Sequence, residues 1–317
     1  MEKYYAIRSK SSEVLNKCTS GGAFITFSDY VLDNGGAIAC SVYDYENHQV
    51  VFKLIEKKSD RDKACGSKYI QSIPGNIFKE CLKWLENNSK KELIFIGTPC
   101  QTHGFQKYIE ANYKCSMNIY YIDMICHGVP SPKIWKEYIN LKEIEHSGKV
   151  DYVSFRDKRN GWDNPTSYAL INGKEVGIGE FNKIFYSRKA LRDSCYKCPY
   201  ATTIRRSDIT IGDYWGMKEN MPEFYDSIGT SLVITHTDKG ERLLKSVSNK
   251  LIIRESDKKH IMQPNLLRPT KKHIFYSKFW LDYNKRGIKY IINKYGTFNK
   301  KNEIYYSIKK VLLKMKG

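Results

Sequence analysis

LIFIGTPCQ (residues 93–101) and IYYIDMICHG (residues 119–128) are the two stretches that decide the fold. Each is a short apolar run that ends in a loop with a cysteine, Cys100 in the first and Cys126 in the second. A helix-like segment, residues 101–111, lies between them, so the order is strand, loop, helix, strand, which indicates an α/β arrangement. Ligands collect at the carboxyl ends of strands in such sheets, and both cysteines are therefore candidate site residues.

The neighbouring segments extend this pattern. Apolar residues at helical spacing predict helices over residues 24–32, 77–86, 133–145 and 240–248. Short runs of β-favouring residues predict strands over residues 36–43, 50–55, 150–156, 167–172, 175–179, 207–213 and 231–235. Asn172-Gly173 is typical of a tight hairpin turn. The predicted fold class is α/β, of mixed α+β type.

Composition narrows the class of protein. The chain has 317 residues, of which 41% are hydrophobic, so one or two folded domains are expected. It shows neither a signal-peptide pattern nor an apolar run of about 20 residues, which predicts a cytoplasmic protein. The nine cysteines are odd in number and irregularly spaced, which argues against a secreted disulfide framework and for reduced thiols with metal or redox roles.

The pair Cys195-Tyr-Lys-Cys198, followed by Pro199, is the strongest local signal. Its two-residue gap lets both sulfurs turn toward one metal or cluster, and it lies in a polar loop rather than at the start of a thioredoxin-like helix. A single Cys-x-x-Cys needs two more ligands, and Cys100 and Cys126 are the natural candidates. The sequence therefore predicts a Cys₄ site, either zinc or iron–sulfur.

The remaining cysteines and the histidines leave alternatives open. Cys40, Cys81 and Cys115 fall in strand or helix patterns and are expected to be small core residues, while Cys18 and Cys65 flank glycine-rich turns and are spare candidates. A different interpretation makes Cys100 a nucleophile with a histidine as its base. The candidate bases are His127 and His103.

Two glycine-containing turns could hold phosphate. Thr19-Ser20-Gly21-Gly22 precedes the first predicted helix, where free backbone N–H groups favour an anion, and Gly66-Ser67-Lys68 forms the second turn. Neither a Walker motif nor Gly-x-Gly-x-x-Gly occurs. Asp208 and Asp213 bracket a predicted strand and are interpreted as structural acids with partners rather than as catalytic groups.

These motifs follow one another from about residue 18 to residue 251. They are TSGGAF (19–24), GSKY (66–69), GTPCQ (97–101), DMICHGVPSP (123–132), FRDK with GW (155–158 and 161–162), CYKC (195–198) and DITIGDYWG (208–216). Together they resemble the family of coenzyme F420 hydrogenase and dehydrogenase beta subunits. Bacterial relatives of that family are often encoded among polysaccharide-biosynthesis genes.

The resemblance implies an iron–sulfur flavoprotein oxidoreductase that passes electrons between a 4Fe–4S cluster, FAD and an unidentified substrate. It implies four cluster ligands, namely Cys100, Cys126, Cys195 and Cys198. It implies flavin contacts from Thr19, Ser20, Gly21, Gly22, Ser67, Lys68, Gly97, Thr98, Pro99 and Gln101. The candidate catalytic residues are Cys100 and Lys68, whose ammonium would stabilise the reduced flavin anion. Cell-surface polysaccharide biosynthesis is the expected setting.

The same resemblance suggests an organisation in three parts. Residues 1–95 would be a flavin-binding module, residues 96–260 a module with the iron–sulfur ligands, and residues 261–317 a basic helical tail. The ferredoxin-like module of many bacterial members is not expected here, because no Cys-x₂-Cys-x₂-Cys-x₃-Cys-Pro run occurs. Electrons would then come from a separate acidic carrier of the ferredoxin or flavodoxin type, which suits a net charge of +19.

The basic tail has two interpretations. Ile304, Ile308, Val311, Leu312 and Met315 recur at helical spacing, with lysines on the other side. Such a helix could lie on an anionic membrane surface, which would make the protein membrane-peripheral, or it could pack as a terminal core helix, which is favoured. Nucleic-acid binding is not expected, because no recognised binding motif accompanies the charge.

Two alternatives to the oxidoreductase stay open at the sequence level. One is a non-catalytic partner, either an electron-transfer subunit or a membrane-peripheral scaffold. The other is a zinc-stabilised Cys–His transferase built on Cys100 and His127.

Overall fold

The structure is a computed structural model that describes residues 2–113 and 117–297. The strands are β1 (Lys3–Ser9), β2 (Ala37–Asp44), β3 (Gln49–Ile55), β4 (Ser72–Ile73), β5 (Leu93–Gly97), β6 (Ile119–Met124), β7 (Val150–Asp157), β8 (Thr166–Ile171), β9 (Lys174–Gly177), β10 (Ile209–Asp213), β11 (Ser231–Thr235) and β12 (Leu251–Ser256). The helices are α1 (Ser12–Lys17), α2 (Ala23–Asp33), α3 (Lys58–Asp62), α4 (Ile77–Asn87), α5 (Pro99–Asn112), α6 (Pro132–Glu145), α7 (Gly179–Tyr186), α8 (Met217–Asn220), α9 (Asp238–Ser246), α10 (Lys258–Ile261), α11 (Pro264–Leu267) and α12 (Tyr276–Ile291).

A large mixed sheet organises the molecule. Its nine strands follow the order β12-β1-β11-β10-β6-β5-β2-β3-β4, and β10, β6, β5 and β2 run parallel at its centre. All five residues of β5 are buried, as expected of a central parallel strand with helices on both faces. The mixed α/β fold class predicted from the sequence is confirmed.

The two faces of the sheet bury alternate residues of each strand. In β5, Ile94 and Ile96 pack with Phe27 of α2, whereas Leu93 and Phe95 pack with Phe105 of α5 on the opposite face. This follows from the two-residue side-chain period of a strand. The helices thus cover the sheet and leave its strand ends for other residues.

A smaller antiparallel sheet, β7-β8-β9, packs with α6, α7 and α12. Its core is aromatic, with Trp135, Phe155 and Phe181 in mutual contact at ring-centroid distances of 4.6–6.0 Å. The predicted Asn172-Gly173 hairpin turn joins β8 to β9, and both residues have positive φ angles, 50° and 72°. Gly179, predicted as the end of a strand, instead begins α7.

Three expectations from the sequence concern the division into modules, the C-terminal amphipathic segment and Cys115. The large sheet takes strands from both sides of residue 95, and the division into flavin and iron–sulfur modules stays a prediction. The amphipathic segment 304–315 and Cys115 lie outside the described residues. Within residues 2–113 and 117–297, every helix is too short or too polar to cross a lipid bilayer.

Candidate functional site

A cleft of about 300 Å³ lies where the parallel strands end. Gly97 of β5 lies opposite Asp123 of β6 in the sheet. Cys100 and Cys126 each come three residues after this pair, so both stand just beyond the strand ends. Residues just after β5, β6 and β10 form one wall, and the loops around residues 18–24 and 64–70 form the other. The cleft therefore lies at the carboxyl ends of the parallel strands, the position that the sequence predicted for the site.

The Thr19–Gly22 turn fits its place only because it contains two glycines. A Cβ on Gly21 would stand 2.3 Å from the carbonyl oxygen of Ile7 and 2.5 Å from the amide nitrogen of Ser231, so β1 and β11 clamp this residue. Gly22 has φ +94° and immediately precedes α2. The turn thus stands at a helix N-terminus, as predicted, and Thr19, Ser20 and Gly22 line the cleft whereas Gly21 supports it from behind.

Lys68 extends from the loop around residues 64–70 into the cleft wall. Its Nζ donates hydrogen bonds to the carbonyl oxygens of Ala64 (2.7 Å) and Gly66 (3.1 Å). Burial lowers the pKa of Lys68 to about 8, and the neighbouring thiols of Cys40 and Cys65 oppose that shift. At neutral pH the cleft therefore carries a cation that is only partly hydrated, beside Ser67, which also lines it.

The Gly97–Gln101 segment is held by one side chain. Gln101 Oε1 accepts a hydrogen bond from the Thr98 amide (3.2 Å), and Gln101 Nε2 donates to the carbonyl oxygen of Ser72 (3.0 Å), which ties α5 to β4. Gly97, Thr98 and Gln101 line the cleft, but Pro99 is buried and is not among the lining residues in the described part of the chain. The flavin role predicted for all four residues is untested.

The loop that carries Cys126 is fastened to the segment that carries Cys195. The Arg192 amide donates to the Val129 carbonyl (2.9 Å), and Pro130 forms an isolated bridge with Leu191. Cys195 and the residues around it form a short 3₁₀ turn, Asp193–Lys197, which brings the Cys-x-x-Cys pair toward the strand ends.

Electrostatic coupling shows that Cys100, Cys126, Cys195 and Cys198 (the four-cysteine group) lie near one another. Burial raises the pKa of Cys126 to about 12, and the other three thiols each add to that rise. The pKa of Cys195 is raised by burial and, to a smaller extent, by Cys198 and Cys100. Among residues 2–113 and 117–297, however, no three or more His, Cys, Asp or Glu side chains are grouped closely enough to hold a single metal ion.

The Cys–His alternative lacks its hydrogen bond among the residues that the structure describes. Cys100 Sγ lies 3.2 Å from Thr98 Oγ1. His103 Nδ1 is 2.8 Å from the Tyr200 hydroxyl, and the His127 ring stacks on Trp215 with 5.5 Å between centroids. Burial lowers the pKa of both imidazoles.

Arg156 is a cleft residue to which the sequence assigned no role. Its guanidinium reaches from β7 to the Asp213 carboxylate at the end of β10 and lies 5.2 Å from the Trp162 ring centroid. Arg156 Nε is buried without a hydrogen-bond partner in the described part of the chain. The sequence offered one signal, since Arg156 and Asp213 both stand in motifs, but nothing in it indicated that they pair.

Asp208 and Asp213 are both partnered acids, as interpreted from the sequence. Asp208 Oδ2 accepts a hydrogen bond from the Tyr121 amide (2.9 Å) and lies 3.1 Å from Lys239 Nζ. Asp213 is paired with Arg156. Neither carboxylate is thus left free for acid–base chemistry.

Three further thiols border the cleft. Cys18 and Cys65, the spare candidates, are half-buried there, and Lys158 Nζ lies 3.9 Å from Cys18 Sγ. Cys40 is buried as expected of a core residue, but it also reaches the cleft wall. Tyr186 and Gln263 line the cleft as well, and neither belongs to a sequence motif that could have indicated it.

Comparison with known proteins relates the chain to one protein family and to solved structures. Residues 90–260 match the family model for the C-terminal part of the beta subunit of coenzyme F420 hydrogenase/dehydrogenase. A chain of the F420-reducing nickel–iron hydrogenase complex from Methanosarcina barkeri has a similar fold, with a TM-score of 0.55 and 16% sequence identity over 91% of this chain and 89% of that chain. A search of curated proteins finds no match.

Proposed function

Because this chain belongs to the coenzyme F420 hydrogenase/dehydrogenase beta-subunit family, we propose that it is an iron–sulfur flavoprotein oxidoreductase. The family membership and the fold indicate a redox protein of the beta-subunit type. The proposal adds a 4Fe–4S cluster, FAD and a substrate that gives or takes a hydride. The observation that carries it is the four-cysteine group. The first turn of α5, the loop after β6 and the Cys-x-x-Cys segment bring its thiols within electrostatic reach of one another, and Cys126 lines the cleft.

The four-cysteine group has the number and type of ligands that either a single zinc ion or a cubane cluster requires. One zinc ion with bonds of about 2.3 Å holds its sulfurs about 3.8 Å apart. A 4Fe–4S cluster binds each thiolate to a different iron and so holds the sulfurs further apart. The four thiols interact electrostatically, and the family to which the chain belongs favours the cluster over a zinc ion.

The cleft has suitable donors for a flavin. The Thr19–Gly22 turn stands at the N-terminus of α2, a position that favours phosphate oxygens, and Lys68 adds a cation to the lining of the cleft. FAD, when bound, would exchange two electrons with a substrate and single electrons with a cluster. Lys68 would stabilise negative charge on it, while Asp213 holds Arg156 in position at the strand ends.

The remaining parts of the proposal concern partners and setting. Cys100 is exposed, so the four-cysteine group reaches the surface where an external electron carrier could dock. A net charge of +19 favours an acidic carrier of the ferredoxin or flavodoxin type. A cytoplasmic location rests on the reduced thiols expected from the sequence. The catalytic role of Cys100 and a step in polysaccharide synthesis rest on the family resemblance.

The deciding experiment is the visible spectrum of anaerobically purified protein, with iron, sulfide, zinc and flavin assayed on the same sample. We expect flavin bands over a broad iron–sulfur absorbance, with about four irons per chain. A colourless protein with one zinc ion per chain would instead support the Cys–His transferase. A protein that takes up neither iron nor flavin after anaerobic reconstitution would refute the proposal.

A further inference from the structure

A second cavity, of about 320 Å³, adjoins the cleft. Its shared wall is aromatic and is formed by His127, Phe185, Tyr186 and Trp215, which line both spaces. Its far wall carries Arg188, Arg268 and Lys271, which come from the end of α7 and from the segment after α11. We call this space the basic cavity.

The three cations of the basic cavity have no counter-ions within the described part of the chain. There, no carboxylate lines this cavity, and the side chains of Arg188, Arg268 and Lys271 form neither a hydrogen bond nor an ion pair. Neighbouring cations behave differently, since Lys272 pairs with Asp193 and Arg156 with Asp213. Three unpaired cations around one concavity create a positive potential that a multiply charged anion would satisfy.

Arg188 also occupies an unfavourable backbone conformation. Its φ is +60°, and it stands just after the Ser187 C-cap of α7, where glycine is the usual residue. An arginine in this left-handed conformation is less stable than a glycine would be, because its Cβ lies too close to the following carbonyl oxygen. Residues held in this way are concentrated at functional sites, so the retained side chain is expected to serve a purpose other than ending the helix.

We propose that the basic cavity binds a multiply charged oxyanion group of the substrate, phosphate or polycarboxylate, and so turns the reacting part of that substrate toward the cleft. The aromatic wall separates the two ends, because it offers apolar contact between the cations and the strand ends. That the bound anion is part of a substrate rests on the proposed redox function. The anion site itself does not.

The test is calorimetric titration of the full chain, as purified, with pyrophosphate and separately with tricarballylate, in a buffer free of phosphate and sulfate. We expect saturable one-to-one binding of at least one anion. Tighter binding of pyrophosphate would identify a phosphate-bearing substrate, and tighter binding of tricarballylate a polycarboxylate. Arg188→Gln and Arg268→Gln should each weaken binding about ten- to a hundredfold, since a charge-assisted hydrogen bond contributes about 1.5–3 kcal/mol and about 1.4 kcal/mol is a factor of ten. The matched control is Arg242→Gln, an exposed arginine on α9 that lines neither cavity, and it should bind as the wild type does.

A second variant separates binding from folding. Arg188→Gly should raise the melting temperature, because it relieves the backbone at φ +60°, and yet weaken anion binding as much as Arg188→Gln does. Absence of saturable binding by both anions would overturn the proposal, as would unchanged affinity in both arginine variants. Neither result depends on iron or flavin content, so the redox function and the anion site can fail separately.

Discussion

Gly128 lies so close to Cys195 that a Cβ on Gly128 would stand 3.1 Å from Cys195 Cβ. It would also stand 3.0 Å from Leu191 Cδ1, and Gly128 has φ +106°. Two loops far apart in the chain thus meet at a point where only hydrogen fits. Because Cys126 is two residues away from this contact, the approach of the loops decides how near the thiols of the four-cysteine group can come.

Gly128→Ala should therefore affect both folding and cofactor loading. Positive φ and the close contact together should lower the free energy of unfolding by about 2–4 kcal/mol. Urea denaturation would measure this loss, and iron per chain should fall with it. Gly35→Ala is the matched control, since Gly35 has φ +71° with no atom of the described residues within 4 Å of the added carbon. Equal losses in the two variants would show that crowding against Cys195 is unimportant.

Removal of one proposed ligand should abolish the cluster and spare the fold. Cys198→Ser replaces a half-buried thiol in the Cys-x-x-Cys loop, and we expect iron and the broad visible absorbance to drop to a small fraction of wild type while flavin is retained. Cys81→Ala, which changes a fully buried thiol of α4, should keep its iron although it loses stability. Full iron content in Cys198→Ser would contradict the assignment of this ligand.

Lys68→Met should make the flavin harder to reduce. Loss of the cation removes about 1.5–3 kcal/mol of stabilisation from a reduced anion, which corresponds to a two-electron potential about 30–60 mV more negative. The difference from wild type should narrow above pH 8, because burial lowers the pKa of Lys68 to about 8 and the lysine then loses its charge. Spectroelectrochemical titration measures both effects. Lys63→Met, at an exposed position in the same loop, should leave the potential unchanged, and a shift as large as that of Lys68→Met would argue against a specific role.

Asp123 should produce a pH dependence of stability. Burial raises the pKa of its carboxyl to about 6, although the Thr210 and Ser207 hydroxyls donate to it at 2.7 and 3.0 Å and Arg205 lies 3.7 Å away. The protonated folded state is favoured below the unfolded pKa, near 4, and that stability is lost as the pH rises through 6.

Asp123→Asn removes this titration. The free energy of unfolding of the variant should rise relative to that of wild type by roughly 3 kcal/mol between pH 4 and pH 7. This follows from about 1.4 kcal/mol for each of two pKa units. The change in the difference with pH is the test, because any pH-independent effect of replacing the carboxyl by an amide cancels in it. Melting temperatures of both proteins across this range measure it. Asp238→Asn, at an exposed position, should show a much weaker trend, and a flat difference for Asp123→Asn would contradict the prediction.

Local pattern was sufficient for the centre of the fold and insufficient for its edges. Residues 93–97 were predictable because a parallel strand buried on both faces is an unbroken apolar run. β1 was not predicted, because KYYAIRS mixes charged and apolar residues, and its strand form depends on β11 and β12 on either side. Its partners come from the far end of the chain, where no local signal points to residue 3.

The candidate site likewise has features that the local sequence predicts and features that depend on contacts between distant parts of the chain. The cysteines after strands and the glycines before a helix could be recognised from the sequence as candidate site residues, because they depend on local backbone geometry. The pairing of Arg156 with Asp213 joins residues 57 positions apart, and the contact between Gly128 and Cys195 joins two loops. Such long-range approaches follow from how the two sheets are placed, which the residue types alone do not encode.

The place of β1 between β11 and the edge strand β12 has a consequence for how the protein is made. Its residues are synthesised long before their backbone partners, which begin at Ser231 and continue to Ser256. At about 5–20 residues per second, the strand waits on the order of ten seconds or more with its hydrogen-bonding edges bare. During synthesis the apolar Tyr5-Ala6-Ile7 run is thus a natural target for a nascent-chain chaperone, and this part of the sheet closes only after Ser256 has been made.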